Sequence, residues 1–253
     1  MELTARQFAS FRELVYRECG INLHEGKQQL LQARLSKRLR KTGIARVEDY
    51  LQVLASDGDE RIRFIDAIST NHTYFFREDQ HFALLDARHR RIWCAACSSG
   101  EEPYSIAIHC LEQGLRPAIL ATDISTAVLK IGESGVYPLE KARRIPPAAL
   151  KKYFKKGHGS WEGYIRLKDD IRRMVTFRRF NLLTDAPPPG EFDLIFCRNV
   201  MIYFDGPVKE AVVDRLSRCL KPHGHFIIGG AESLNNVKHS LHYVRPSIYC
   251  KGA

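Results

Sequence analysis

Apolar residues in the first part of the chain recur at the spacing of amphipathic helices. A threonine before the first of these stripes and a glycine after it suit a helix start and a helix end. The predicted helices span about residues 4–20, 27–41, 47–55 and 60–68. We therefore expect residues 1–70 to form a helical N-terminal domain.

The pattern changes near residue 91, where short apolar runs begin to alternate with amphipathic segments. The runs have the size of buried parallel strands, and the segments between them have helical periodicity. Predicted strands lie at about 92–96, 118–122, 175–180, 192–197, 225–229 and 243–250. This alternation is typical of a doubly wound α/β fold with a mostly parallel sheet, which we place at residues 91–253.

Residues 138–173 interrupt the alternation with prolines, glycines and many basic side chains. Tyr153-Phe154 and the run 164–167 flank the glycines as the two arms of a hairpin would. We interpret this segment as a small inserted β subdomain.

The turn after the first predicted strand is the leading candidate for a ligand site. Small residues, Cys97 to Gly100, are followed by a helix start at Glu101-Glu102. Ligands bind doubly wound folds at the carboxyl end of such a strand. The two carboxylates would repel a phosphate, but they suit an amino group, a sulfonium cation or ribose hydroxyls, all of which S-adenosylmethionine (SAM) has. The alternative is an ordinary strand-to-helix turn without a cofactor.

Further polar residues follow other predicted strands. Asp123 ends the second strand, where such folds bind ribose hydroxyls. Arg198 and Asn199 follow a later strand, and an aromatic residue, Tyr203, comes four positions after Asn199.

Residues 71–90 are predicted to form a linker that ends in a helix over 78–88. We expect it either to cross the mouth of a cofactor site, with Asn71, Thr73 and Arg77 pointing at the ligand, or only to pack its aromatic residues on the next domain.

The net charge of +10 indicates an anionic partner: a nucleic acid, an anionic membrane or an acidic protein. Residues 26–46 hold no acid, and residues 141–173 hold eleven lysines and arginines against three acids. Arg34, Arg38 and Lys41 form a stripe on the second predicted helix. Such a stripe is usually a solvated face, but the lack of neighbouring acids favours a docking surface.

Seven scattered cysteines favour reduced thiols and a cytoplasmic location over a disulfide framework. Cys94 and Cys97 lack a second pair, and His223 and His225 lack a further ligand at usable spacing, so we expect no metal site. We also expect no membrane insertion, because no apolar run reaches the length of a span and the N-terminus does not read as a signal peptide.

Six blocks of the sequence together resemble the chemotaxis receptor methyltransferases of the CheR type. They are T-N-H-T-Y-F-F-R-E, C-S-S-G-E-E-P-Y-S, A-T-D-I-S, F-x-x-x-N-L-L, F-D-L-I-F-C-R-N-V-M-I-Y-F and V-R-P-S-I-Y. The likeness covers nearly the whole chain. It implies a class I SAM-dependent methyltransferase domain with a seven-stranded sheet, a helical N-terminal domain and a small antiparallel, three-stranded β subdomain. Cys97 departs from the family pattern, which more often has an alanine-like residue there.

The resemblance also implies SAM as cofactor, S-adenosylhomocysteine as product, and methyl esterification of chemoreceptor glutamates. The implied cofactor contacts are Asn71, Thr73, Arg77, one of Glu101 and Glu102, Asp123, Asn181, Leu182, Arg198 and Asn199. Tyr203 matches the aromatic residue next to the methyl-transfer site. The implied partners are acidic cytoplasmic receptor helices and, at the loop 157–163, a receptor tail peptide.

The implied reaction requires few catalytic parts. A glutamate is ionised at neutral pH, so no general base is needed, and catalysis should come mainly from positioning and desolvation. We expect Arg198 or Arg77 to hold charge near the cofactor carboxylate or the incoming glutamate, and Tyr203 to orient the methyl group.

Two alternative functions are compatible with a SAM fold. A basic chain could be a nucleic-acid methyltransferase acting on RNA or DNA, but base-nitrogen methylases tend to carry an Asn/Asp-Pro-Pro-aromatic turn that stacks a flipped base. The corresponding run, Arg198 to Met201, has no proline, so we expect no nucleic-acid partner. The other alternative is a SAM-binding regulatory protein without turnover, against which Tyr203 and the intact cofactor blocks count.

Overall fold

The N-terminal part of the chain is helical in the computed structural model, which describes residues 2–253. Its α-helices are α1 (Ala5–Cys19), α2 (Gln28–Thr42), α3 (Val47–Ser56) and α4 (Gly58–Ile68). Thr4 and Gln7 form a reciprocal capping box at the start of α1, and Gly20 ends the helix with a left-handed φ of 70°. The apolar stripes of the four helices face one another and form the core of this domain.

The predicted exposed basic stripe on α2 is wrong at Arg38. This side chain is buried in the helical core, where its guanidinium forms a two-pronged ion pair with Glu60 of α4. Tyr50 of α3 donates a hydrogen bond to the same carboxylate at 2.7 Å. The acid that pairs with Arg38 lies outside the acid-free segment 26–46, and for this reason the local charge pattern was misleading.

The described residues contain ten strands. In chain order they are β1 (Arg91–Ala95), β2 (Ala118–Asp123), β3 (Val136–Pro138), β4 (Phe154–Lys156), β5 (Tyr164–Leu167), β6 (Val175–Arg179), β7 (Phe192–Phe196), β8 (Leu220–Ile227), β9 (Leu241–Arg245) and β10 (Ile248–Lys251). Seven of them form one sheet in the order β6-β2-β1-β7-β8-β10-β9. The strands from β6 to β8 are parallel, and β10 is antiparallel to both of its neighbours. This confirms the predicted doubly wound, mostly parallel seven-stranded sheet.

The end of the chain differs from the sequence prediction. A single strand was predicted over 243–250, but the chain forms the hairpin of β9 and β10 instead. Pro246 has no N–H to donate to a neighbouring strand, and Ser247 takes a left-handed φ of 64°, so the chain reverses between them.

Three helices pack on the large sheet: α5 (Glu101–Glu112), α6 (Thr126–Ser134) and α9 (Gly206–Arg218). Two shorter helices lie between β3 and β6 along the chain: α7 (Pro147–Tyr153), which contacts β4, and α8 (Asp169–Arg172), which contacts α5. The predicted helix at 78–88 is only a 3₁₀ helix, Asp79–Leu84, and Glu78, with a left-handed φ of 50°, lies outside it. Within residues 2–253, no helix has both the length and the apolar character that a membrane crossing requires.

The remaining three strands form the small antiparallel sheet β3-β5-β4. The linker before β1 packs against it through Phe75, whose ring centroid lies 5.0 Å from that of Tyr137 and 5.6 Å from that of Phe154. The small sheet therefore contacts the segment that precedes the large sheet.

Candidate active site

A cleft opens at the carboxyl ends of β1, β2 and β7, and the empty space in and above it, open solvent included, is about 1310 Å³. The chain leaves β1 toward β2 on one side, whereas β7 pairs with β1 on the other, so the cleft lies where the strand order reverses. Ligands bind open α/β sheets at this point. The opposite wall of the cleft consists of residues from α2 and from the segments that follow α1 and α4.

The turn after β1 is held open by its backbone. Ala96, Ser98 and Gly100 all have positive φ values, of 71°, 50° and 92°. A Cβ at position 100 would lie only 3.0 Å from the Cα of Gly132 in α6, and the φ of 92° itself favours glycine at this position. The turn is thus shaped to expose backbone to the cleft.

The two adjacent glutamates at the start of α5 have different surroundings. Glu101 is fully buried away from the cleft, where it accepts hydrogen bonds from Ser99 at 2.7 Å and from Lys141 at 2.6 Å. Glu102 lines the cleft and accepts a hydrogen bond from Arg198 at 2.8 Å. Of the pair that the sequence left open, Glu102 is the residue that can contact a ligand.

Asp123 ends β2 and lines the same cleft. Its two carboxylate oxygens accept backbone hydrogen bonds from Ser98 at 2.8 Å and Ser125 at 2.9 Å, which fixes the side chain against the turn after β1. Burial raises the pKa of Asp123, and these backbone donors oppose the rise. Each oxygen keeps a lone pair that can accept a hydrogen bond from a hydroxyl group.

Arg198, directly after β7, is the centre of a buried ionic network. Its side chain is only 1% exposed and donates to Glu102, to Glu78 at 3.1 Å and to the carbonyl oxygen of Arg77 at 2.7 Å. Burial alone would lower the pKa of Arg198, but the two carboxylates outweigh it and the pKa is raised. Arg198 therefore stays charged and fixes the linker, the start of α5 and the end of β7 relative to one another.

The other residues predicted for cofactor contact also line the cleft. From the linker these are Asn71, Thr73 and Arg77, after β6 they are Asn181 and Leu182, and after β7 Asn199. The Asn181 side chain is partly used elsewhere, because its amide donates to the carbonyl oxygen of Glu18 at 2.6 Å and so joins the two domains.

Tyr203 ends a short 3₁₀ turn, Met201–Tyr203, and is half-buried at the cleft. Its carbonyl oxygen accepts a hydrogen bond from the backbone N–H of Asn22 at 2.9 Å. The helical domain therefore contacts the turn that carries this candidate catalytic residue.

Several cleft residues come from the helical domain and were not predicted. Leu30 and Arg34 of α2 and the segment 68–70 face the cleft. Arg34 donates hydrogen bonds to the carbonyl oxygen of Ser69 at 3.2 Å and to Thr70 Oγ1 at 3.4 Å. Periodicity identifies the face of a helix that packs in its own domain, but no local pattern shows which exposed face a second domain will cover.

The described chain offers no cluster of three or more potential metal ligands among its His, Cys, Asp and Glu residues. Cys19 and Cys97 line the cleft, and Cys197 directly follows β7. All three are buried, and burial raises the pKa of each thiol, which disfavours the reactive thiolate.

The sheet order, the glycine turn and the carboxylates at the ends of β1 and β2 together define a class I SAM-dependent methyltransferase. Buried acids beside the cleft fit a cationic cofactor with a ribose and would disfavour a phosphate.

Comparison with known proteins gives the family. The family described as "CheR methyltransferase, SAM binding domain" matches residues 71–250, and "CheR methyltransferase, all-alpha domain" matches residues 6–69. Chemotaxis protein methyltransferase 2 of Pseudomonas aeruginosa is 42% identical over 260 residues, covering 97% of this chain and 93% of the relative. The chemotaxis protein methyltransferase of Escherichia coli is 38% identical over 251 residues, covering 94% and 88%.

The chain belongs to the CheR methyltransferase family and is a SAM-dependent methyltransferase of chemotaxis. The RNA methyltransferase alternative finds no support in these matches.

Proposed function

We propose that this protein transfers the methyl group of SAM to glutamate side chains of chemoreceptors, forming glutamyl methyl esters during chemotactic adaptation. The observation that carries the proposal is the cleft, which combines Glu102 and Asp123 with Tyr203 in a chain of the CheR family. We place the activity in the cytoplasm, where the acidic cytoplasmic helices of the receptors lie.

Cofactor binding is assigned to the residues that line the cleft. We propose that Glu102 and Asp123 accept hydrogen bonds from polar hydrogens of the cofactor, and that Asn71, Thr73, Asn181, Leu182 and Asn199 complete its site. Bound there, SAM supplies an activated methyl group. Carboxylates near a positive sulfur are favourable in a partly buried site, where charges interact more strongly than in water.

We propose different roles for Arg198 and Arg77. Arg198 is enclosed by Glu78 and Glu102, so its proposed role is to hold Glu102 and the end of β7 in place. Arg77 is less enclosed: it lines the cleft and donates to the carbonyl oxygen of His72 at 2.9 Å. We propose that Arg77 places its positive charge near the incoming carboxylate, and that Tyr203 orients the methyl group that is attacked.

The positive surface proposed to meet the acidic receptor helices now excludes Arg38. Lys37, Arg40 and Lys41 are exposed on α2, on the domain that forms one wall of the cleft. Positive charge at this place would steer an acidic helix toward the site and would act mainly on the association rate.

A second contact is proposed at the loop 157–163 of the small sheet. Trp161 is 58% exposed there and packs edge-on against Tyr164. An exposed aromatic pair on a basic subdomain suits a short receptor tail peptide with aromatic and acidic residues.

The test is incubation of the purified chain with methyl-labelled SAM and a receptor cytoplasmic fragment. We expect protein-bound label that is released as methanol in mild base, and none with a fragment whose target glutamates are changed to glutamine. Tyr203→Phe should slow single-turnover transfer while SAM binding persists. Label that resists base would contradict ester formation, and SAM binding without any transfer would favour the regulatory alternative.

A further inference from the structure

Glu232, in the loop after β8, holds the turn that carries Tyr203. Its Oε2 accepts backbone hydrogen bonds from Asn199 at 2.8 Å and from Gly229 at 2.7 Å, and its Oε1 accepts one from the backbone of Ile202 at 3.2 Å. Among residues 2–253, this carboxylate is the hydrogen-bond acceptor for the N–H groups of both Asn199 and Ile202.

The surrounding backbone is built closely around this carboxylate. Asn199 has a left-handed φ of 59°, which asparagine tolerates better than most residues but which still needs support. A Cβ at position 229 would lie 2.9 Å from Glu232 Oε2 and would also collide with the Asn199 side chain, so the loop needs glycine at that point.

A second carboxylate supports the same two loops. Glu78 accepts hydrogen bonds from the backbone of Gly230 at 2.9 Å and from the Asn199 side chain at 3.2 Å, and it pairs with Arg198. Glu78 therefore acts on the side chains of residues 198 and 199, whereas Glu232 acts on the backbone between residues 199 and 202. Only the Glu232 bonds reach the residue before Tyr203.

We infer that Glu232 is a positioning residue for methyl transfer, which fixes the backbone of 199–202 and through it the Tyr203 ring. The inference rests on the proposed function, because it takes Tyr203 to be the residue that orients the methyl group. Backbone N–H groups bonded to a carboxylate form charge-assisted hydrogen bonds, which are stronger than neutral ones. Small displacements of positioning groups cost large factors in rate.

Glu232→Gln separates positioning from cofactor binding. An amide has one oxygen, so it can accept either from Asn199 and Gly229 or from Ile202, and its NH₂ then faces an N–H donor. The orientation that keeps two bonds leaves the Ile202 N–H without an acceptor. We expect single-turnover transfer at saturating SAM to fall about tenfold, with the SAM dissociation constant changed by less than about threefold.

Hydrogen–deuterium exchange of the full chain measures directly whether Glu232 holds the backbone of 199–202. In Glu232→Gln, the peptide covering 198–204 should exchange faster than in wild type while peptides from the helical domain do not change. Glu232→Ala should lose all three bonds, with transfer about 100-fold slower and weaker SAM binding. The matched control is Glu210→Gln, because Glu210 accepts a single backbone bond from Lys238 at 3.2 Å in the same region.

Unchanged exchange and unchanged transfer in Glu232→Gln would overturn the inference, as would faster exchange throughout the chain with a proportionate loss of SAM binding. A Tyr203→Phe variant as fast as wild type would refute the proposed role of Tyr203. In that case, faster exchange confined to 198–204 in Glu232→Gln would still show that Glu232 holds this backbone. Failure of the Tyr203 role and failure of the Glu232 role can therefore be told apart.

Discussion

Two buried arginine–carboxylate clusters, one in each domain, use the same chemistry in different ways. In the helical domain, Arg38 pairs with Glu60, and Tyr50 completes a cluster that lies between α2, α3 and α4, with the exposed Arg63 3.8 Å from the Glu60 carboxylate. We call this cluster closed because none of Arg38, Tyr50 and Glu60 lines the cleft. At the sheet, Arg198 pairs with Glu102 and Glu78, but this cluster borders the cleft through Glu102.

The difference shows that a buried ion pair does not by itself indicate function. Such pairs lose much of their Coulombic gain to desolvation, so they contribute little net stability, yet breaking one is costly. The closed pair has no contact with a ligand site and can only fix how α2, α3 and α4 pack. The open pair fixes three chain segments around a cleft, and one of its carboxylates stays accessible from that cleft.

Removing the arginine of the closed cluster should have the largest effect on stability. Arg38→Met leaves the buried Glu60 with only the exposed Arg63, 3.8 Å away, as a nearby cation, and we expect the free energy of unfolding to fall by about 3 kcal/mol in urea titrations. SAM affinity measured at low temperature should be unchanged. The double variant Arg38→Met/Glu60→Leu should recover most of the loss. A loss below about 1 kcal/mol in the single variant would show that the Arg38–Glu60 pair behaves as a solvent-exposed ion pair.

Acid should weaken the open cluster first. His81 packs beside it, 4% exposed, and burial together with the Arg198 charge lowers its pKa from 6.5 to about 4. The unfolded chain binds a proton on His81 at higher pH than the folded chain does. The His81 contribution to the free energy of unfolding is therefore fully present above about pH 6.5 and is lost as the pH drops toward 4. We expect this contribution to be about 2–3 kcal/mol.

Denaturant titrations at several pH values measure this effect. His81→Asn should flatten the dependence between pH 6.5 and 4, whereas the exposed His158→Asn should leave it as in wild type. Equal slopes in wild type and His81→Asn would mean that the buried imidazole does not control acid stability.

Removing the arginine of the open cluster should affect binding more than folding. Arg198→Met leaves Glu102 without its partner at the cleft, and we expect the SAM dissociation constant to rise about 30-fold, equivalent to about 2 kcal/mol. Calorimetry measures the SAM dissociation constant. The control is Arg178→Met, at an exposed position of β6. A larger loss of stability than in Arg38→Met would remove the distinction between the two clusters.

Reversing surface charges outside both clusters should have the smallest effect, and only on the rate of methylation. Lys37→Glu/Lys41→Glu should slow methylation of an acidic receptor fragment about fivefold at low salt and much less at high salt, because surface charges are screened. SAM affinity should not change. The exposed pair Lys130→Glu/Lys238→Glu alters net charge equally and serves as control; equal slowing in both double variants would show only a net-charge effect.

The sequence predicted the fold well because its signals are local. Apolar runs gave the parallel strands, and the residues that follow those runs, such as Glu102, Asp123 and Asn199, lie together at one edge of the sheet, as expected for parallel strands. The final hairpin was missed because one proline and one left-handed serine reverse a run that looks continuous.

The rest of the site depends on contacts between distant parts of the chain. Glu78 and Glu232 accept hydrogen bonds from backbone N–H groups, which any residue except proline offers, so no residue pattern marks their partners. The contribution of α2 to the cleft depends on how the domains dock, and the pairing of Arg38 depends on an acid in another helix.

The hydrogen bond from Asn22 to the carbonyl oxygen of Tyr203 has a consequence for protein engineering. A chimera that receives the helical region of a relative would exchange a backbone contact to the proposed catalytic turn together with the proposed recognition surface. Altered receptor preference in such a hybrid therefore reports on both at once, and swaps of single surface lysines separate them better than whole-domain grafts.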